Sequence, residues 1–177
     1  MFLVLSRLEG WKKVDRSINA FAKISIKYTN AKLVIVGGGS DEQRLKNLVD
    51  KLGISNQVVF VGVVAHDDVY EYFMISDVFL SLYDLSNMGN PLFEAMCLKK
   101  CIITLDVGDT KAIIKNNENT ILLDYSEIDI LNTYMEELIT NEQKRMDLGI
   151  NARKTAERTF TTWEKRLDIE FKKIAIY

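Results

Sequence analysis

Residues 77–98 read DVFLSLYDLSNMGNPLFEAMCL, and they place an apolar strand, a polar turn and a helix in immediate succession. The turn contains Gly89 and ends at the only proline of the chain, Pro91. Asn90 is a residue type that caps helices, and proline fits the first helical position because its φ angle is already set. The stretch therefore predicts a strand followed by a capped helix at 91–98.

The same succession of strand and helix extends over the rest of the chain. Apolar runs predict six strands, at 2–6, 32–37, 57–62, 77–82, 101–105 and 120–124. Helices are predicted at 14–27, 41–52 (with Ser40 as its cap), 67–75, 91–98 and 109–116, and in a C-terminal group over about 126–175, at 126–139, 142–157 and 162–175. Apolar strands that alternate with helices form a parallel sheet covered on both faces. The sequence therefore predicts one α/β domain over 1–177, a Rossmann-like three-layer α/β/α sandwich with a mainly parallel sheet of about six strands.

Composition argues against several classes of protein. A formal net charge of −2 gives no general attraction to nucleic acid or to anionic membranes, and no apolar run approaches the roughly 20 residues that span a bilayer. The single histidine, His66, is predicted to be exposed at a helix start. Cys97 and Cys101 are predicted to be buried free thiols, which argues against a zinc site. The first strand begins at residue 2, which favours a chain that is part of a longer protein.

Glycine is frequent where the predicted strands end, and ligands of such sheets bind beyond these carboxyl ends. GGGS at 37–40 follows the second strand, Gly62 ends the third, and Gly89 precedes the helix at Pro91. Glycine lets a backbone turn tightly or approach a ligand closely. A plain turn accounts for GGGS equally well, because it matches neither the dinucleotide-binding pattern nor the P-loop.

The helix that starts at Pro91 has two features of a nucleotide site. A helix N-terminus carries backbone N–H groups and partial positive charge, which suit a phosphate. Glu94 lies one turn inside, where a carboxylate suits the two vicinal hydroxyls of a ribose. A well-capped core helix and a solvated glutamate are the alternatives, and both stay open on these residues alone.

Five segments in sequence order resemble one known family. They are SRLEGWKKVD, KLVIVGGGSDEQRL, VVFVGVVAHDDVYEYFMISDVFLSLY, SNMGNPLFEAM and TFTTWEKRLDIEFKKIAIY. They resemble, respectively, R-L-x-x-x-K-G-x-D, L-x-I-V-G-x-G-x-x-x-x-x-L, V-x-F-x-G-x-V with Y-x-x-A-D-x-F-x-x-P-S, E-G-F-G-x-x-x-x-E-A-M, and a final F-S-W helix. The chain thus resembles the C-terminal, donor-binding domain of retaining GT-B glycosyltransferases of family 4, the glycosyl transferases group 1.

The resemblance implies roles for the matching residues. Arg7 and Lys12 match the basic pair that holds the donor diphosphate, and Glu94 matches the second glutamate of the family's E-x7-E motif, which binds the ribose. The implied catalytic residues are Arg7, Lys12 and Glu94. The nucleobase is expected near the turn at 61–64. The residues implied to bind the donor nucleotide-sugar are Gly38, Val63, Ser86, Asn87, Gly89, Asn90, Pro91 and Glu94.

The chain departs from the family pattern at several positions. Ser86 replaces the first glutamate of E-x7-E, which in the family faces the transferred sugar, and Asp84 is the nearest acid that could substitute for it. The sequence N-M-G at 87–89 stands where the family has G-F-G. The sequence at 99–101 replaces a glycine–proline turn of the family, and Ala112 stands where a glutamate is usual. These departures predict a divergent member or one with altered donor use.

The resemblance implies transfer of a sugar from a nucleotide diphosphate sugar, carrying UDP, GDP or ADP, to an acceptor with retention of configuration. It implies no metal and no cofactor, and no nucleic acid partner. The other implied partner is an N-terminal acceptor domain that this chain lacks, so the isolated domain is expected to bind nucleotide with little or no transfer. The implied location is cytoplasmic, with membrane contact only through the missing domain, and the implied process is synthesis of cell-surface polysaccharide or glycolipid.

Two other functions are weighed against this one. A non-catalytic nucleotide-sugar-binding module or partner subunit is favoured by Ser86. A dehydrogenase fragment is disfavoured, because SRLEGWKK rather than G-x-G-x-x-G follows the first strand. The last predicted helix and the residues after it carry Trp163, Phe171 and Tyr177. These side chains would either face the missing domain or pack against the domain to which they belong.

Overall fold

A computed structural model of the chain describes residues 1–159, which include a six-stranded sheet. The strands are β1 (Phe2–Leu5), β2 (Leu33–Val36), β3 (Val58–Gly62), β4 (Val78–Ser81), β5 (Cys101–Leu105) and β6 (Ile121–Leu123). The α-helices are α1 (Val14–Ser25), α2 (Glu42–Lys51), α3 (Val69–Ile75), α4 (Asn90–Cys97), α5 (Leu131–Thr140) and α6 (Glu142–Thr159). The predicted helix 162–175 and its aromatic residues lie outside the described residues.

The strands pair in the order β3-β2-β1-β4-β5-β6, and every pair is parallel. The order reverses between β1 and β4, where Phe2 is in register with Val78. This position is the topological switch point, beside which open α/β sheets bind their ligands. The residues that follow β1 and β4 are therefore the first to inspect for a site.

Side chains of each strand alternate between two apolar cores because successive residues of a strand point to opposite faces. In β1, Phe2 and Val4 pack in the core under α1, α2 and α5, whereas Leu3 packs in the core under α3 and α4. Ala152 and Ala156 of α6 belong to the second core. Helices thus cover both faces of the sheet, and the predicted three-layer α/β/α fold is confirmed.

Two predicted helix caps are wrong. The cap of α4 is Gly89 rather than Asn90: Gly89 is extended, with φ −118° and ψ 170°, and its carbonyl accepts the N–H of Leu92 at 3.0 Å. Asn90 is already the first residue of the helix. Ser40 does not cap α2, because its hydroxyl donates to the Glu9 carboxylate at 2.7 Å and Asp41 takes the cap position.

Three predicted helices are shorter or divided. The helix expected at 67–75 begins as a 3₁₀ turn, His66–Asp68, and becomes α-helical only at Val69. The helix expected at 109–116 is a single 3₁₀ turn at Thr110–Ala112. The helix expected at 126–139 begins as a 3₁₀ segment, Tyr125–Ile130, and becomes α-helical only at Leu131. The Asp124 side chain accepts the N–H of Ser126, which fixes the start of this 3₁₀ segment.

Candidate functional site

An open cleft of about 290 Å³ lies at the carboxyl ends of β1, β2 and β3, beside the start of α4. Its lining includes four residues that the sequence predicts for a donor site: Arg7, Gly38, Val63 and Pro91. These residues come from four separate segments of the chain, and the parallel sheet brings them to one edge. The cleft is the part of the predicted site that the fold assembles.

Two of the three glycines after β2 are required by backbone contact within the protein. A Cβ on Gly37, whose φ is +129°, would lie 1.9 Å from the Ser6 carbonyl oxygen, and one on Gly39 would lie 2.3 Å from that of Leu8. The Leu8 N–H also donates to the Gly38 carbonyl at 2.9 Å. These contacts hold the loop after β2 against the loop that carries Arg7, which accounts for GGGS without a ligand.

Lys12 ends a 3₁₀ turn, Gly10–Lys12, and its ammonium lies between two aromatic rings. The Nζ atom is 4.2 Å from the centroid of the Trp11 ring and 3.7 Å from that of the Tyr83 ring. Arg7 is close to the same group, with its guanidinium carbon 6.0 Å from the Trp11 ring. Partial burial and the charge of Arg7 lower the pKa of Lys12.

Arg7 and Lys12 have no carboxylate partner among residues 1–159. The nearby acids are engaged elsewhere: Glu9 accepts the hydroxyl of Ser40, and Asp15 lies 3.5 Å from Arg44. Two uncompensated cations therefore lie next to the switch point, an arrangement that suits an anion.

Asp84, the acid next to Ser86, is paired with two other cations. The Arg16 Nη2 atom donates to its Oδ1 at 2.5 Å, and the Lys13 Nζ atom lies 3.4 Å from its Oδ2. Arg16 also donates to the Leu82 carbonyl at 2.8 Å. Asp84 thus ties the start of α1 to the end of β4, and this pairing argues against its use as a substitute for the glutamate missing at Ser86.

The loop from β4 to α4 is held by one buried side chain, Asn87, which is 1% exposed. Its Oδ1 atom accepts the Ser81 hydroxyl and the Tyr83 N–H, each at 3.0 Å, and its Nδ2 atom donates to the Leu105 carbonyl at 3.1 Å. The side chain is fully engaged inside the protein. Any contact of Asn87 with a donor would therefore come from its backbone.

The remaining predicted residues of this loop lie at or near the surface. Ser86 is exposed, and its Oγ atom accepts the N–H of Met88 at 3.2 Å. Asn90 is exposed at the first helical position. The N–H groups of Leu92 and Phe93 already bond to the Gly89 carbonyl, and proline has no N–H. The first turn of α4 therefore offers fewer free donors than the sequence suggested.

Glu94 lies on the wall of a second cleft, of about 360 Å³, rather than in the first. Val69 lines both clefts, so the two are adjacent. The Glu94 side chain is 29% exposed, and its Oε1 atom is 4.0 Å from the Nε2 atom of His66. His66 is 79% exposed, as predicted for a surface residue at a helix start.

Trp11 and Tyr83 are the site residues that sequence reasoning missed. Trp11 stands inside the basic segment 6–15, and Tyr83 follows β4 directly, beside the switch point. The two rings meet edge to face, with centroids 6.3 Å apart and planes at 73°. Their positions at the ends of the two central strands were the available signal.

Residues 1–159 were also inspected for metal ligands, reactive cysteines and membrane-spanning helices. No group of three or more His, Cys, Asp or Glu side chains is placed to hold a metal ion there. Cys97 is half-buried and Cys101 is buried, both are free, and burial raises the pKa of Cys101 to about 12. None of the described helices is long and apolar enough to cross a membrane.

Comparison with known proteins gives consistent matches. The family model for glycosyl transferases group 1 matches residues 1–155. The chain is 26% identical over 178 residues to a GDP-mannose-dependent alpha-(1-6)-phosphatidylinositol monomannoside mannosyltransferase of Mycobacterium tuberculosis, covering 97% of this chain and 45% of that protein. It is 30% identical over 157 residues to N-acetyl-alpha-D-glucosaminyl L-malate synthase of Bacillus anthracis, covering 88% of this chain and 40% of that protein. The chain therefore spans less than half the length of these relatives.

Solved structures show the same fold. The C-terminal domain of a glycosyl transferase group 1 family protein (LpcC) from Francisella tularensis superposes with a TM-score of 0.82 at 20% identity, covering 91% of this chain and 86% of that one. Anabaena Alr3699/HepE in complex with UDP superposes with a TM-score of 0.85 at 22% identity, covering 98% of this chain and 48% of that one. At these identities the likeness establishes the architecture, which is half of a GT-B fold.

Proposed function

Because the chain belongs to the glycosyl transferases group 1, we propose that it is the donor-binding half of a retaining glycosyltransferase. In this proposal the chain holds a nucleotide diphosphate sugar, and a separate N-terminal domain brings the acceptor. That domain would also make any contact with a membrane. The observation that carries the proposal is the pair of cations at the switch point of the sheet, Arg7 and Lys12, which have no carboxylate partner within residues 1–159.

The diphosphate is assigned to the edge of the first cleft next to this pair. When the sugar leaves, the bond from its anomeric carbon to the β-phosphate oxygen breaks, and that oxygen gains negative charge. Two cations already in place stabilise this charge without having to reorganise. Charge neutralisation in this proposal comes from Arg7 and Lys12, with a smaller contribution from the dipole of α4, and it needs no cofactor.

The nucleoside is assigned to the region where the two clefts meet. Glu94 would accept hydrogen bonds from the ribose hydroxyls, and the base would lie along the turn after β3, where Val63 is 83% exposed. The relatives and structures differ in nucleotide, since one is named for GDP-mannose and another contains UDP. The nucleobase therefore has to be measured.

A non-catalytic nucleotide-sugar-binding module is the second candidate. The observation in its favour is Ser86, an exposed hydroxyl where the family has the glutamate that faces the transferred sugar. Such a module would keep the diphosphate and ribose contacts and lose the sugar contact. Nucleotide binding tests both candidates, whereas only transfer in the presence of the N-terminal domain separates them.

The first test is calorimetric titration of the chain with UDP, GDP and ADP. We expect one nucleotide to bind saturably, and Glu94→Ala to weaken it at least tenfold, or about 1.4 kcal/mol. Glu71→Ala is the matched control, since Glu71 is also a helical glutamate, in α3, but lines neither cleft. Failure of all three nucleotides to bind would refute a donor site in this chain, and binding unchanged by Glu94→Ala would remove the role given to that residue.

A further inference from the structure

We propose that Trp11 and Tyr83 are positioning residues, which hold the Lys12 ammonium by their ring faces so that its charge stays available to the donor diphosphate. This inference rests on the proposed donor site and adds to it the means by which the cation is held. The rings act through Lys12, and no contact of their own with the nucleotide is invoked.

The first support is the geometry. Both rings lie close to Nζ, at 4.2 Å for Trp11 and 3.7 Å for Tyr83, within the range in which a cation is attracted to a ring face. The rings lie in the segments that follow the two central strands, Trp11 in the 3₁₀ turn after β1 and Tyr83 in the loop after β4. Lys12 is thus held across the switch point.

The rings are themselves fixed by the backbone around them. The Tyr83 hydroxyl donates to the Leu5 carbonyl at 3.1 Å, which ties this buried ring to the end of β1. The Trp11 carbonyl accepts the N–H of Asp84 at 3.4 Å. Since the edge of one ring also meets the face of the other, neither moves freely. A flexible lysine held by two fixed rings loses less entropy when an anion binds.

The second support is a contrast with the other ring-contacting lysines of residues 1–159. Lys27 lies over Tyr28 and is paired with Glu136, and Lys46 lies over Phe60 and is paired with Glu42 at 2.6 Å. In each case a carboxylate also neutralises the lysine. Within this part of the chain Lys12 differs, because it has two rings and no carboxylate.

The difference matters for binding an anion. A carboxylate holds a lysine but adds a negative charge a few ångströms away, which cancels much of the field felt by an incoming phosphate. A ring attracts the cation through its quadrupole and adds no net charge. Holding Lys12 with rings therefore keeps it in place and leaves its positive charge uncompensated.

The test combines nucleotide titration with nuclear magnetic resonance of the Lys12 ε-CH₂ group. The variants are Trp11→Leu, which removes one ring, and Trp11→Phe, which keeps a ring in its place. Trp11 is 37% exposed, so both should fold, and thermal unfolding followed by circular dichroism verifies it. Lys12→Met and the double variant Trp11→Leu/Lys12→Met complete the cycle, and Lys27→Met is the control.

We expect ring currents to shift the Lys12 ε-protons upfield in the wild type, and Trp11→Leu to reduce this shift. Trp11→Leu should weaken the bound nucleotide about five- to tenfold, or roughly 1–1.4 kcal/mol. Trp11→Phe should restore most of the affinity. In the Lys12→Met background the loss of Trp11 should have no further effect, because the ring acts only through the lysine.

Each other result counts against the inference in a distinguishable way. An equal loss with and without Lys12 would mean that Trp11 acts through Arg7, whose guanidinium carbon lies 6.0 Å from the ring, or contacts the ligand directly. Unchanged affinity in Trp11→Leu would mean that the ring does not position the Lys12 cation. Lys12 ε-protons that do not respond to Trp11→Leu would refute the ring contact itself. If the wild type binds none of the nucleotides, the donor site fails and with it the role of the rings there, whereas the resonance still decides the ring contact.

Discussion

Gly37→Ala, compared with Gly62→Ala, tests how the loop that carries Arg7 is held. Gly37 follows β2 and Gly62 is the last residue of the neighbouring strand β3, and a hydrogen bond of 2.8 Å joins the Gly37 N–H to the Gly62 carbonyl. Both have positive φ, +129° at Gly37 and +84° at Gly62. They differ in what an added Cβ would meet: the Ser6 carbonyl oxygen at 1.9 Å from position 37, and nothing within 4 Å of position 62.

The magnitude follows from this difference. An alanine at either position takes up a sparsely populated backbone conformation, which costs about 1–3 kcal/mol. At Gly37 the contact with a backbone carbonyl adds an overpacking cost of about 1–3 kcal/mol, because a carbonyl cannot rotate away as a side chain can. We therefore expect Gly37→Ala to lower the free energy of unfolding by about 1–3 kcal/mol more than Gly62→Ala does.

Urea unfolding followed by circular dichroism measures the change in the free energy of unfolding of each variant. Nucleotide titration shows whether the proposed binding site is disturbed as well. Relief of the contact requires Ser6 to move, so Arg7 should shift and nucleotide binding should weaken more in Gly37→Ala than in Gly62→Ala. Equal losses of stability in the two variants would refute the reasoning, since they would show that the two loops separate without cost.

Two further predictions concern the loop before α4 and the charge of Lys12. Asn87→Ala leaves the Ser81 hydroxyl and the Tyr83 N–H without their buried acceptor and removes one of the two N–H donors to the Leu105 carbonyl, so it should lower the free energy of unfolding by about 2–4 kcal/mol in urea unfolding; a loss below about 0.5 kcal/mol would show that water replaces the amide. Because partial burial and the charge of Arg7 lower the pKa of Lys12, its ammonium loses its charge at a lower pH than the ammonium of an ordinary lysine does. Wild-type nucleotide affinity should therefore fall as alkaline pH removes the Lys12 charge, whereas Lys12→Arg should keep its affinity because the guanidinium stays charged. Parallel pH profiles for the two proteins would contradict the role of Lys12.

Much of the fold could be predicted from the sequence because its determinants are local. A strand buried on both faces must be apolar at nearly every position, so runs such as DVFLSL and CIITL identify β4 and β5 without knowledge of their neighbours. The order of strands and helices then requires a parallel sheet. The residues that follow the strands, including Arg7 and Gly38, could be chosen as site candidates by the same argument.

The errors lie where distant contacts decide the local structure. Asn90 is a good cap by type, but the buried amide of Asn87 bonds to Leu105 and sets the course of the loop, so that the cap position falls on Gly89. Ser40 is a good cap as well, but Glu9 from the neighbouring loop takes its hydroxyl. In both cases the hydrogen-bond partner is distant in sequence, so the local sequence does not indicate it.

Contacts between distant residues also decide which cations near the switch point are paired with an acid. This effect matters more for function than the two helix caps do. Four cations occur within residues 7–16, and nothing in their spacing separates those that support the fold from those left for a ligand. One acid in the loop after β4 makes the difference: Asp84 pairs with Lys13 and Arg16, whereas Arg7 and Lys12 have no carboxylate partner within residues 1–159. Because Asp84 forms its ion pairs with Lys13 and Arg16, it holds the start of α1 in place without pairing with Arg7 or Lys12. The proposed anion site thus depends on a residue that need not touch the anion.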